Sequence, residues 1–491
     1  MQINLTNHQT PKFNVLSEKN CQELYAAALE CLDRIGVLVH NEEGRQLLHN
    51  AGALVEDKLV KIPQNIIQRA LTITPRSFKL WDRDGKSYLK IEPNRVYFGP
   101  GPTCTYFKDP ETDKRRRAKR GDAGLVAQVC NELEHIDFVM SLSIYNDVTP
   151  ELSPVYEFAD MVTNTRKPIV AWANDVPTLK AIYEIAKCVA GSKQALIEKP
   201  NFAYFSTFQS PLQHLDHKAG SVLWAAEQGI PIVYLGGPTV GLESPITGAS
   251  GLVIHLATAL SGLAIVQLKH PGAPVAIGGI PMVMDMFTAR PAYGSPEMCL
   301  YTAAASELAR YLNLPFMGTA GATDSKVLDA QTGIEVTAQI LLSALSGAGL
   351  VHDVGFLDCA DIGSLELLVL SNEVIGYVKR ILRGIEVNQK TIMMELIEKV
   401  GPGGYFVAEP ESATLCRQEV WVPVLSDRNP FPQWAVTGGL SMEERVHLRV
   451  LDILEHHKIP ALSQEVLKRI HAILEGEEKR VQDSIGIITD E

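Results

Sequence analysis

PFMGTAGATDSKVLDAQTGIEVTAQILLSALSGAGLVHDVGF, residues 315–356, holds an apolar run, a glycine-bearing turn, a segment of helical periodicity and a second apolar run. Short apolar runs closed by turn residues read as strands, and apolar residues spaced three and four apart read as a helix. A strand, a helix and a strand in that order predict a parallel pair, because antiparallel neighbours need only a tight turn.

The same alternation extends upstream. RVYFGPG from Arg95, IDFVMSLSIYN from Ile136, PIVAWAND from Pro168, FAYFSTFQS from Phe202, PIVYLGG from Pro231 and PVAIGG from Pro274 join PFMGTAG from Pro315 and LVHDVGF from Leu350 to make eight runs. Their starts lie about 30 to 45 residues apart, the length of a strand, a helix and two loops. Pro168, Pro231, Pro274 and Pro315 head their runs, a position where proline costs a strand little. Continuous apolar strands with intervening helices imply a parallel sheet covered on its outer face. Eight units predict an α/β chain with a closed (β/α)8 TIM barrel, and the absence of a GxGxxG fingerprint argues against an open doubly wound sheet.

The expected barrel spans residues 91–388. Residues 1–90 read as an N-terminal helical cap, with amphipathic SEKNCQELYAAALECLDRIGVLV and IPQNIIQRALTI around the hairpin-like ALVEDKLVKI. Residues 389–491 read as a C-terminal helical extension. It passes through PGGYF and DRNPFPQW into SMEERVHLRVLDILEHHK and SQEVLKRIHAILEGEEKRVQD, whose charges pair at i, i+4. These helices and the FPQW segment are expected to cover a neighbouring subunit in a homo-oligomer.

A net charge of −12 argues against nucleic acid or an anionic bilayer as partner, since both are negative themselves. Eight scattered cysteines without a CxxC pair predict reduced thiols in a cytoplasmic chain. MQINLTNHQTPKF lacks the basic start and apolar run of a secretory signal. Ser244 to Leu268 carries no charge over a length that would cross a bilayer, yet it includes His255, Gln267 and three glycines and is expected as a buried helix. KRRRAKR, Lys114 to Arg120, is expected as a solvated loop. No metal site is expected, and HExxH and GxSxG are missing.

In barrels of this class the chemistry gathers at the carboxyl ends of the strands. Tyr97, Phe98, Tyr145, Asn146, Trp172, Asn174, Asp175, Phe205, Phe208, Gln209, Tyr234 and Phe356 fall there. Ring faces attract a cation that has no hydrogen to donate. A cage drawn from Tyr97, Tyr145, Trp172, Phe208 and Phe356 is the expectation. Gly318 and Gly321 are expected to bring backbone amides to an anion such as a carboxylate, with His352 donating to the same group. Asp324 is expected to act electrostatically or to anchor Lys326. For His352 a structural role stays open, and no catalytic residue is assigned.

RIGVLVHNEEGRQLLHNAGALVEDKLVKIP, GTAGATDSKVLDAQTG, SGAGLVHDVGFLD and ELLVLSNEVIGYVKRILRGI resemble the trimethylamine methyltransferase family of corrinoid-dependent enzymes, over nearly the whole chain. The resemblance implies a (β/α)8 barrel that moves a methyl group from a methylamine to the Co(I) of a corrinoid carried by a separate small protein. It implies no cofactor bound tightly to this chain. The founding trimethylamine enzymes contain pyrrolysine, whereas only standard residues stand here. That departure points to the branch acting on quaternary amines such as glycine betaine. Two other readings stay open: a betaine-binding barrel without turnover, and a barrel lyase, for which Lys326 would have to serve as a Schiff-base lysine.

Overall fold

The computed structural model describes residues 10–11 and 13–489; residues 1–9, most of the stretch tested for an export signal, lie outside the described residues. Seven of the eight apolar runs form one sheet. Its strands are β1 (Val96–Phe98), β2 (Ile169–Trp172), β3 (Phe202–Thr207), β4 (Ile232–Gly236), β5 (Val275–Gly279), β6 (Phe316–Thr319) and β7 (Gly349–His352). They lie in the order β1-β7-β6-β5-β4-β3-β2, every pairing parallel. Sequence order thus runs around the sheet, as right-handed crossovers through outer helices require.

The run from Ile136, expected as a strand, does not form one. It touches both edges of the sheet instead. Phe98 N donates to Asp137 Oδ2 at 2.9 Å while Asp137 N donates to Phe98 O at 2.6 Å. On the other edge Val139 N donates to Pro168 O at 3.0 Å and Val170 N to Val139 O at 2.9 Å. The Asp137 carboxylate takes a bond that a backbone carbonyl takes in a ladder, and Leu142, at φ +64°, turns the chain away from extended geometry.

Eight longer helices follow the eight runs: α1 (Asp122–Glu132), α2 (Ser153–Asn164), α3 (Val176–Ala190), α4 (Asp216–Gln228), α5 (Gly248–Lys269), α6 (Pro296–Tyr311), α7 (Ala330–Ser346) and α8 (Leu365–Arg383). Asp175, Ser295, Asp329 and Ser364 start α3, α6, α7 and α8 by accepting from a backbone N–H three residues on. The uncharged α5 is long and apolar enough to cross a membrane, but 78% of its apolar window is buried in the fold. Glu18–Arg34 and Gln64–Ile73 of the N-terminal segment pack on it. That placement explains its composition, since a helix apolar all round must be covered all round.

Leu54–Glu56 and Leu59–Lys61 form the hairpin expected there, and Val37–Val39 joins it to Gln213–His214 beyond β3. A second hairpin, Phe78–Trp81 with Tyr88–Ile91, inserts Phe78, Leu80 and Ile91 into the apolar interior of the curled sheet. It closes the amino-terminal end of the strands. At the other end Tyr106–Lys108 and Arg115–Arg117 pair with Ile362–Gly363 and Phe356–Leu357. Most of the basic run is therefore a strand and its flank rather than the expected loop: Arg116 pairs with Asp109 and Asp122, and Arg115 stacks on Tyr106 at 3.3 Å. In the C-terminal segment Met442–His456 packs on α8 and α1, and Gln464–Thr489 on α3.

Candidate active site

Two apolar clusters divide the molecule. One lies inside the curled sheet and includes Tyr97, Phe138, Met140, Val170, Phe205, Leu235, Met317 and Leu350, with half-buried Trp172 and Ile280 against it. The other lies between the sheet and the helices. Side chains alternate between them along each strand, so register decides which aromatic can meet a ligand.

At the carboxyl end of the interior, Trp172 and Phe205 are register partners across β2 and β3. His352 is the partner of Thr319 across β7 and β6, and its ring meets that of Phe205 edge-on with centroids 5.6 Å apart. Three β-strands separate β3 from β7, so the contact spans the interior. His352 is 1% exposed; its Nδ1 donates to Asp353 Oδ1, and its Nε2 has no hydrogen-bond partner among the described residues. Asp353 Oδ2 accepts from Thr319 Oγ1 at 2.6 Å. Asp353 stands at φ +75°, a left-handed conformation that costs a non-glycine residue about 1–2 kcal/mol. The turn brings the carboxylate against the preceding imidazole, which it holds with Nε2 left over. Gly101 makes room for this pair: a Cβ there would sit 2.3 Å from Asp353 Oδ1 and 2.4 Å from Phe356 Cζ.

Behind the indole, Trp172 Nε1 donates to Glu157 Oε2 at 2.7 Å. Burial pushes the Glu157 carboxyl up to about 7. Beyond β5, Met282–Asp285 and Arg290–Pro291 form a hairpin leading to Tyr293. Withdrawal from water, then the charge of Asp353, holds the Tyr293 phenol well above its ordinary value, so it stays protonated.

Most of the expected cage lies elsewhere. Tyr97 does point inward, but toward the floor, where its hydroxyl accepts from Lys90 N at 3.3 Å. Tyr145 is 2% exposed among the helices, its hydroxyl donating to Asp160 Oδ2 at 2.7 Å and accepting from Ala123 N at 3.1 Å. Phe208 packs on Tyr234, His255 and His214 on the helical side, and Phe356 is fully buried in the outer core. Trp172 alone of the five faces the carboxyl end of the interior, and Phe205 is the aromatic partner it has there.

The expected amide cradle is also corrected. Gly318 faces outward, where an added Cβ would lie 3.3 Å from Ala348 and from Thr302 of α6. Gly321, at φ +82°, makes the turn, but the amides after it are spoken for: Ala322 N donates to Gln339 Oε1, Thr323 N to Phe356 O and Asp324 N to Glu335 Oε2. Asp324 accepts from Tyr293 N and from Cys359 Sγ, both at 3.0 Å, and so ties the overhanging loop to the turn after β7. Lys326 bonds the Asp324 carbonyl rather than its carboxylate, and pairs with Asp358. Sequence reasoning placed Phe205 at a strand end but left it out of the cage, and it missed Glu157 and Thr319. The signal available was parity, since Phe205 stands an odd number of positions from Phe208.

The model for the family described as trimethylamine methyltransferase matches residues 1–481. The chain belongs to the trimethylamine methyltransferase family. Relatives in this family include the trimethylamine methyltransferase of Desulfitobacterium hafniense strain DCB-2, 29% identical over 95% of this chain and 94% of its own. The trimethylamine methyltransferase of Methanosarcina thermophila is 30% identical, covering 94% of this chain and 97% of its own. A glycine betaine methyltransferase of Desulfitobacterium hafniense strain Y51 is 26% identical, covering 96% and 98%. Among solved structures, the monomethylamine methyltransferase of Methanosarcina barkeri shares the fold at a TM-score of 0.50 and 10% identity, over 98% of this chain and 90% of that one. Methyl transfer from trimethylamine and from glycine betaine is the activity by which these relatives are named.

Proposed function

We propose that this chain transfers a methyl group from a quaternary amine of the glycine betaine kind to the Co(I) of a corrinoid carried by a separate protein. The observation that carries the reading is the convergence of Trp172 and Phe205 with the unpartnered Nε2 of buried His352 at one end of the sheet interior. Aromatic rings suit a permanent cation. The His352 ring, held through Nδ1 by Asp353, has Nε2 left to meet the carboxylate at a betaine's other end. In this revised site, Tyr145, Phe208 and Phe356 support neighbouring elements, and His352 is the carboxylate donor in place of the Gly318–Gly321 turn.

A quaternary nitrogen already carries the charge that makes it a leaving group. The C–N bond breaks with its electron pair staying on nitrogen, a neutral tertiary amine departs, and the Co(I) pair forms the new Co–C bond. The chain's own task is to align nitrogen, methyl and acceptor and to exclude water. Such a donor needs no pyrrolysine, in keeping with the standard residues found throughout. The contacts of residues 137–139 with both β1 and β2 favour a closed (β/α)8 barrel in which that run fills the eighth place. We take the chain to work in the cytoplasm as a homo-oligomer, holding no cofactor tightly itself.

The test mixes the purified protein with a reduced corrinoid protein and a panel of methylated amines while the cobalt spectrum is followed. Formation of methyl-Co(III) with a quaternary amine is the expected result. A spectrum that stays unchanged with every donor removes the proposal, and binding without turnover would leave a betaine-binding barrel in its place.

A further inference from the structure

Glu157 lies on α2, 1% exposed, behind the ring edge of Trp172. Oε1 accepts from Ser153 Oγ at 2.6 Å and from Tyr145 N at 3.4 Å, and Oε2 from the indole N–H at 2.7 Å. None of these partners is a cation. The charged groups on the elements around α2 engage elsewhere: Arg116 holds Asp122 of α1, Arg120 stacks over Tyr156, Lys187 of α3 pairs with Glu184, and Glu478 takes the Tyr156 hydroxyl. Asp160, one turn on from Glu157, accepts the Tyr145 hydroxyl. A buried carboxylate with only neutral donors is costly as an anion, and a permanent cation in a dry interior is equally costly without a counter-charge. Each meets the other's need across one indole.

We propose that Glu157 is a positioning residue that fixes the Trp172 ring and supplies the buried negative charge for a quaternary ammonium in front of it, so that binding of the cation drives a proton off Glu157. This rests on reading the interior beside Trp172 as the ammonium site. The carboxylate accepting Nε1–H also pushes electron density toward the indole face, which strengthens its attraction for a cation. Burial, working against the hydrogen bonds from Ser153 and Trp172, raises the carboxyl to about 7, where a nearby positive charge tips it to the ionised form. Asp353 cannot serve in the same way, because its two oxygens already accept from His352 Nδ1 and Thr319 Oγ1.

Titration calorimetry with tetramethylammonium and with glycine betaine, each in two buffers of different ionisation heat near pH 7, reads proton release directly. The expected result is release of a substantial fraction of one proton by the wild type and none by Glu157→Gln. Affinity should fall roughly five- to tenfold in Glu157→Gln, about the worth of a desolvated cation–π contact, and Glu157→Asp should recover part of it. Quenching of the tryptophan emission that is lost in Trp172→Phe should weaken in step. Binding by the wild type without proton exchange overturns the role of Glu157 and leaves the ammonium site standing, as does unchanged affinity in Glu157→Gln. Failure of the wild type to bind either probe overturns the site itself.

Discussion

Glu157 also makes a prediction about stability. Its carboxyl is raised from 4.5 to about 7 in the folded chain, so the native state holds that proton more tightly than the unfolded state. The stabilisation is full at acid pH and is lost as pH rises from about 4.5 through 7. Glu157→Gln, which keeps the shape without the charge, should therefore stabilise the protein at pH 8 by up to about 3 kcal/mol relative to its effect at pH 4, where the wild-type carboxyl is protonated in the folded chain. Urea unfolding at the two pH values checks the sign. Gly101 carries a second prediction. Ala at this position would drive a methyl into Asp353 and Phe356. We expect Gly101→Ala to turn His352 out of place and lower methyl transfer at least about tenfold, the scale of effect that small misplacements have on a reacting geometry, while circular dichroism stays native. Full activity in that variant would show that the Asp353 brace is dispensable. These residue-level features were only partly legible. His352 stood out as a polar residue ending an apolar run, but Asp353 as its brace depends on a left-handed backbone turn that composition does not announce.

The floor hairpin illustrates the element scale. Phe78, Leu80 and Ile91 seal the interior from below, and Leu80 is fully buried. Leu80→Ala removes apolar contact and opens a cavity, and should cost about 2–5 kcal/mol, read as a lower urea midpoint at unchanged slope. A shift of a few tenths of a kcal/mol would mean that the hairpin is only draped over the strands. Apolar runs and helical periodicity marked seven strands and their helices correctly, because both signals are local. The run from Ile136 carried the same local signal and failed, since Asp137 uses its side chain where a strand uses its backbone. Likewise Gly318 and Gly321 looked alike in sequence. The difference between them is that α6 comes against one and a turn passes through the other.

For the whole molecule, the C-terminal extension leaves large apolar side chains in water. Tyr405, Val407, Phe431 and Val436 are 85%, 86%, 74% and 84% exposed. Exposed apolar surface of this kind marks association sites, and light scattering should give a mass that is a multiple of 53.8 kDa. Phe431→Asp with Val436→Asp should reduce it; a wild type that runs at the mass of one chain would show that these residues have another use. The alternation of apolar runs with helices, the scattered thiols and the family motifs are all properties of neighbouring residues, and on these points the amino-acid order alone determined that the chain is an α/β methyltransferase-family protein. Which aromatics face the interior was decided only in three dimensions. A one-residue change of parity moves a side chain from the ligand's side of a sheet to the helices' side, and parity is set by pairing with strands tens of residues away. Phe205 and His352 become neighbours by that long-range closure, and Tyr145, Phe208 and Phe356 are turned away by it.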